Sequence, residues 1–321
     1  MNTQVVYYEE WMKDQVERMF LAEYGWQKER LSDLMADFYT HPYQLRKCIR
    51  IVALENRTVT GFQSLFYWPY VYEGKVFNSY QSGNSLVHPE HRGKGVFRTL
   101  LNFVEENRHQ QGIDFMMGFP VDASRNSFIR DGWKNILNLH WQVRFINPVS
   151  ILRSLNKQIV CHKLPFAPLT YQTRQPSALW RLSNDPEFTD WRNHYMKPTE
   201  YYGYSYAEGS KEMSFQMKIQ VRKRVLKELV LGNIETNSGD PVFLRNGINS
   251  LCHKARSTGI ISLVSFASNS QCKNGLSGHF AEAGFKTIDR RISFIVKPFS
   301  TPELLLDPTR WELYRSDIDT W

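Results

Sequence analysis

The 321-residue sequence predicts an α/β protein of two tandem domains, each a mixed central sheet flanked by helices. Three observations predict it. A length of 321 at roughly 150 residues per domain gives two units. Hydrophobic residues at 42% and charged residues at 22% supply packed cores rather than disorder. One order of strand and helix signals then occurs twice, about 150 residues apart.

The first unit opens with a short strand at residues 5–8. Met12, Val16, Met19 and Phe20 then fall on one face of a helix over 11–24. A second short helix follows at 33–39. Strands are expected at 49–54, 62–72 and 75–87 from β-branched and aromatic content, with Asn56-Arg57 and Glu73-Gly74 as tight turns. This is an antiparallel meander. After Val87 comes a glycine-bearing loop, then a helix whose apolar face is Phe97, Leu100, Leu101 and Val104, ended near Gly112. A strand at 115–119, a helix at 124–130 and a strand at 136–146 complete the unit before Pro148.

The second unit repeats that order: strand 226–236, helix 242–256, strand 260–267, helix 276–283 and strand 291–297. Gly259, Gly284 and Pro298 stand where Gly112, Gly132 and Pro148 stood. The expected boundaries are a first domain at 1–148, a linker at 149–178 carrying Pro165, Pro168 and Pro176, and a second domain at 179–321 with a C-terminal tail.

Composition excludes several classes. The uncharged run at 58–72 contains Pro69 and falls short of the roughly 20 apolar residues of a membrane span. The N-terminal MNTQVVYYEE lacks a secretory pattern, so a cytoplasmic protein is expected. Cys48, Cys161, Cys252 and Cys272 form no CxxC pair and read as reduced thiols. His88 and His91 lack a third ligand nearby, so no metal is expected. A net charge of +8 suits an anionic partner. The basic run of Lys218, Arg222, Lys223, Arg224 and Lys227 reads as a solvated face. It has no interleaved aromatics to stack on bases, so nucleic acid is not expected.

The loop Arg92-Gly93-Lys94-Gly95-Val96-Phe97, between a strand and an amphipathic helix, is the chemical signal. A helix N-terminus offers unpaired N–H groups and a positive dipole end. Gly93 and Gly95 let backbone approach a pyrophosphate, and Arg92, Lys94 and Arg98 add charge. Neither a G-x-x-x-x-G-K-[ST] loop nor a third glycine for a dinucleotide fingerprint is present.

Val87-His88-Pro89-Glu90-His91-Arg92-Gly93-Lys94-Gly95 resembles the acyl-CoA loop of the GNAT-superfamily N-acetyltransferases, [Q/R]-x-x-G-x-[G/A], with Phe97 in place of the last small residue. Gly118-Phe119-Pro120 followed by Gly132-Trp133 is similar to a subgroup reading GFP…GW. In the second unit Gly239-Asp240-Pro241 stands at the loop, so that copy is expected to be degenerate. The resemblance implies acetyl-CoA or another acyl-CoA bound by Val87, Arg92, Gly93, Lys94, Gly95, Val96, Phe97 and Arg98. It also implies a splayed gap near Val87 and Phe119 and transfer to a small-molecule amine, with an amino sugar as the acceptor class. The alternatives are a non-catalytic CoA-binding scaffold and a Fem-type transferase using aminoacyl-tRNA.

Family members with a basic residue on the fourth strand place a glutamate where Gln81 stands; the usual acid tyrosine is Phe128, and a frequent asparagine is Val121. Two-copy relatives place the chain's last carboxylate in the site instead. By that resemblance Trp321 and Asp319 are the catalytic candidates, against a tail that packs only for stability.

Overall fold

The computed structural model describes residues 3–25, 27–150, 166–168, 177–194, 199–222, 226–272 and 275–321. Most of the expected linker, Cys161, Lys223 and Arg224 lie outside them. The strands are β1 (Gln4–Tyr7), β2 (Ile49–Glu55), β3 (Thr58–Tyr67), β4 (Tyr70–Tyr72), β5 (Lys75–Phe77), β6 (Ser79–Val87), β7 (Phe115–Gly118), β8 (Lys134–Phe145), β9 (Ala167–Pro168), β10 (Arg181–Leu182), β11 (Tyr201–Glu208), β12 (Lys211–Arg222), β13 (Leu226–Thr236), β14 (Leu263–Asn269) and β15 (Lys286–Pro298). The helices that matter are α1 (Lys13–Tyr24), α2 (Lys28–Met35), α3 (Pro42–Leu45), α4 (Val96–Asn107), α5 (Asp122–Arg130), α6 (Pro186–His194), α7 (Pro241–Ser257) and α8 (Ser277–Glu282). Among the described residues no helix is long and apolar enough to cross a membrane.

Local rules account for most elements. Asn56 and Arg57 both adopt positive φ, the tight two-residue turn that joins twisted strands β2 and β3. Two expected strands are each broken. Residues 62–72 divide at Trp68-Pro69, because proline cannot donate to a ladder. Residues 75–87 divide at Asn78, whose N–H is taken by Asp114 Oδ2 at 2.8 Å. The pieces β4 and β5 leave the main sheet and form a small one with β10, in the order β10-β4-β5. The helix expected at 33–39 is α2 followed by a wider turn, Ala36–Thr40.

The main sheet has twelve strands in the order β1-β2-β3-β6-β7-β15-β8-β14-β13-β12-β11-β9. The last strands of the two units are exchanged. β15 pairs with β7 of the first half, while β8 pairs with β14 of the second. Each half therefore completes the other, and the two sheets expected from the sequence are one continuous sheet. Its apolar faces bury a large core containing Phe66, Trp68, Trp180, Trp191 and Trp311, and a second one beneath α7 and α8.

The C-terminal tail fixes the curl of this sheet. The Trp321 indole is fully buried against Gly232 of β13, beside Trp141 and Val230. Two residues earlier, Asp319 lies against Gln81 and Gly83 of β6. Strands β6 and β13 are five places apart, about 24 Å in a flat sheet at about 4.8 Å per strand. Two residues of chain reach at most about 7 Å. The sheet must therefore bend its two arms toward each other, with the tail between them. The Trp68 indole N–H binds Asp317 O at 3.1 Å from one arm, and Asn269 Nδ2 binds Trp311 O at 2.9 Å from the other.

A side chain at position 232 would put its Cβ 2.2 Å from the Trp321 ring. Gly232→Val should therefore destabilise the protein by roughly 1–3 kcal/mol, the usual cost of overpacking. Urea unfolding followed by tryptophan fluorescence measures it; an unchanged midpoint would mean that the indole is not a structural pin.

Candidate active site

Strand β6 pairs with β3 along its length but with β7 only through Ser79, Tyr80 and Gln81. Beyond Gln81 the two parallel strands separate, leaving the β7-facing edge of residues 82–87 open. The same stretch contains a bulge. Phe62 faces Leu86 and Ser64 faces Gly83, so β6 has one extra residue at Asn84-Ser85, and Asn84 adopts φ 49°. Buried polar groups hold it: Asn84 Nδ2 donates to Tyr39 Oη at 2.8 Å, and Ser85 Oγ donates to Gln63 Oε1 at 2.5 Å. A bulge beside a strand separation turns backbone groups out of the ladder, where they can meet an extended ligand or a developing oxyanion.

At the end of β6 the chain turns through Pro89–His91 into α4. Gly93 and Gly95 have φ 75° and 82°, and a Cβ on either would meet nothing within 4 Å. Glycine is thus required by backbone conformation, and the space above it is open. No side chain caps α4. Gly61 on β3 lets the helix sit close, since a Cβ there would be 2.8 Å from Val96 Cγ1. Lys94 and Arg98 are exposed beside the N-terminus, Val96 is buried, and Phe97 packs edge-on against Phe128 with centroids 5.0 Å apart. Arg92 is tethered: Nε donates to Val87 O at 3.0 Å and Nη2 to Glu23 Oε2 of α1 at 2.5 Å.

The matching place in the second half is filled from within the chain. Asp240 caps α7, accepting from Val242 N at 2.9 Å and Phe243 N at 3.4 Å, and pairs with Lys211. A carboxylate already occupies the donors that an anionic ligand would need.

Three side chains read from the sequence now find their surroundings. Phe128 is buried against Trp133, and Val121 is exposed. Gln81 is fully buried on β6 at the last residue that pairs with β7, and its amide nitrogen hydrogen-bonds the Asp319 carboxyl group. Asp319 keeps part of its surface open to solvent, while its carboxyl group is enclosed by protein. Burial pushes its pKa up, against the lowering effects of Arg315, Gln81, the Thr320 amide and Arg192. Trp321 turns the other way: its main-chain oxygen accepts from Tyr201 Oη of β11 at 2.9 Å.

The basic run corrects the sequence reading. Lys218 is buried, and Arg222 pairs with Glu228, which is fully buried, so these two are structural cations and not a solvated face. His91 pairs with Glu55 at 3.3 Å, and among the described residues no group of three potential ligands could hold a metal.

Residues 10–134 match the family model of the acetyltransferase (GNAT) domain. The chain carries a GNAT acetyltransferase domain. No curated protein matches the sequence. Among solved structures, a GCN5-related N-acetyltransferase from Anabaena variabilis superposes with TM-score 0.62 at 13% identity, over 92% of this chain and 73% of that one. A tandem GNAT protein from the clavulanic acid biosynthesis pathway gives 0.51 at 14% identity, over 92% and 98%. Saccharomyces cerevisiae N-myristoyltransferase with bound myristoyl-CoA gives 0.50 at 12%, over 99% and 85%. These likenesses show that the fold shared with those proteins extends over more than nine-tenths of this chain.

The contrast between the two helix starts makes a stoichiometric prediction: calorimetry should show one CoA per chain. Gly95→Trp, which must strain a left-handed residue and fill the open space, should abolish that binding. Two sites, or unchanged affinity in the variant, would rule the α4 loop out. Arg92→Ala should weaken CoA binding more at low than at high salt, because an exposed cation acts through a screened field. Loss of thermal stability with affinity retained would instead leave Arg92 only its tether to Glu23 and Val87.

Proposed function

We propose that this protein transfers an acyl group directly from acetyl-CoA, or a close acyl-CoA, to a small-molecule amine, with Asp319 as the general base. The observation that carries the reading is the contact between Gln81 and Asp319 at the edge of the β6–β7 separation. Where relatives resembling this chain carry a glutamate on the strand, this chain has an amide, and the amide holds a carboxylate delivered by the tail.

The roles follow from placement. The α4 N-terminus with Gly93, Lys94, Gly95, Val96, Phe97 and Arg98 binds the pyrophosphate, and the open edge of β6 down to Val87 aligns the pantetheine arm. Asp319 accepts a proton from the acceptor ammonium. The freed amine attacks the thioester carbonyl carbon, a C–N bond forms, the nitrogen sheds its second proton to solvent, and the C–S bond breaks. The CoA thiolate leaves with the proton returned by Asp319, since Phe128 has none to give. Backbone at the Asn84-Ser85 bulge stabilises the carbonyl oxygen as it gains charge. Trp321 anchors the tail rather than titrating. Amino sugars, implied by the GFP…GW resemblance, are the first acceptor class to screen.

A raised pKa suits a base, and it makes a signed prediction. An aspartate whose folded pKa is raised contributes stability below the ordinary carboxylate range, and this is lost as pH rises through the shifted value. Asp319→Asn should therefore keep or raise the melting temperature at pH 7, while cutting kcat by on the order of 10²–10⁴ and leaving CoA affinity intact. In the wild type, kcat should rise with pH through a pKa above the usual carboxylate range. Full turnover by the asparagine variant would exclude Asp319 as base.

A further inference from the structure

One buried cation has no assigned contact with either substrate in the reaction above. Arg192 of α6 is 3% exposed, and its Nε and Nη2 have no hydrogen-bond partner. Its guanidinium lies 5.2 Å over the Trp68 ring. No carboxylate forms an ion pair with it among the described residues, and the residues outside that set contain no aspartate or glutamate. Asp319 feels its field at a distance, but the guanidinium Nε and Nη2 themselves are left without an acceptor, which is costly for a buried cation.

Arg192 lines a cavity of about 80 Å³. Ser183, Ser205, Ser214, Gln216 and Asn233 share its wall, all of them able to donate hydrogen bonds. Two acids also face it, Glu235 and Asp317, and Asp317 Oδ2 already accepts the Tyr314 amide at 2.5 Å. The space exceeds what one water needs and is far too small for a macromolecule. It fits the head of a small ligand.

We propose that this cavity is the oxyanion subsite of the acceptor: the amine that reacts at Asp319 also carries a carboxylate or phosphate group, and Arg192 binds it. This rests on the acyltransfer reading for the amine, though not for the anion. The tail connects the two places. Ser316 and Asp317 close the cavity, and Asp319 stands two residues further on, at most about 7 Å along the chain. A small amine with an anionic group can therefore span from Arg192 to the base. Against the two acids, a second buried cation stands within electrostatic reach of Arg192. Lys218 is 8% exposed with Nζ 4.8 Å over the Trp321 ring, and its pKa is pushed down to about 7 by burial, then by Arg315 and Arg192. Such mutual repulsion among cations is relieved when an anion enters.

Two measurements on the whole chain test this. In thermal unfolding at constant ionic strength, acetate or inorganic phosphate replaces chloride in separate titrations. The wild-type midpoint should rise with at least one of them, and which one identifies the oxyanion. Arg192→Met, with a side chain of similar reach and no charge, should respond to neither. In turnover, kcat/KM for β-alanine over ethylamine, or for O-phosphoethanolamine over ethanolamine, should exceed one in the wild type and fall at least about ten-fold in Arg192→Met. A wild-type midpoint indifferent to both anions, or a selectivity ratio equal in the two proteins, overturns the proposal. Anion stabilisation without turnover of any amine keeps the subsite and refutes the acyltransfer reading instead.

Discussion

The insertion of β15 between β7 and β8 is the constraint on which the other features depend. A strand from the end of the second half closes the sheet of the first, so neither half has a complete set of hydrogen-bond partners alone. The insertion also leads the chain out of β15 directly beneath the first half, from which the tail can run between the two arms. Without it, residues 311–321 would have no route to both Gly232 and Gln81.

The tail reconciles two conflicting demands. A base that works near neutral pH must be partly desolvated, which costs stability, and a mobile terminus gives no positional control. For the base proposed here the cost falls on Asp319, and control comes from its neighbours: Trp68 on the Asp317 carbonyl, Arg315 on the Thr320 carbonyl at 2.7 Å, and the buried indole of Trp321. One residue bears the desolvation and those around it are held by several contacts each.

Local signals were legible in the sequence, and long-range pairings were not. Glycines at positive φ, the apolar stripe of α4, the hairpin turns and the unlike starts of α4 and α7 each depend on a few adjacent residues, and the sequence reading placed them. The β11–β12 hairpin was missed. Tyr201–Glu208 is tyrosine-rich with only half-buried or exposed side chains, and so lacks the clean alternation of a one-sided strand. The strand exchange was beyond reach, because β7 and β8 carry nothing that distinguishes β15 from a neighbour in their own half. Gln81 was legible as a departure and Asp319 as a candidate. Their contact spans 238 positions and belongs to the fold. Arg192 gave no signal at all: an arginine in Pro186–His194 reads as helix surface until its burial is seen.

The place of β15 in the sheet also orders the protein's assembly in time. Strands β7 and β8 acquire their shared neighbour only after about 140 further residues have been made, so the first half emerges from synthesis with unpaired edges on both strands in the middle of its future sheet. Such edges are templates for wrong partners, another copy of the same chain included. The step that unites the halves is then a late, non-local closure, and the same closure brings Asp319 to β6. Folding completes and the proposed base arrives in one event, so partly folded chains hold the loop proposed to bind acyl-CoA without the group proposed to act on its cargo.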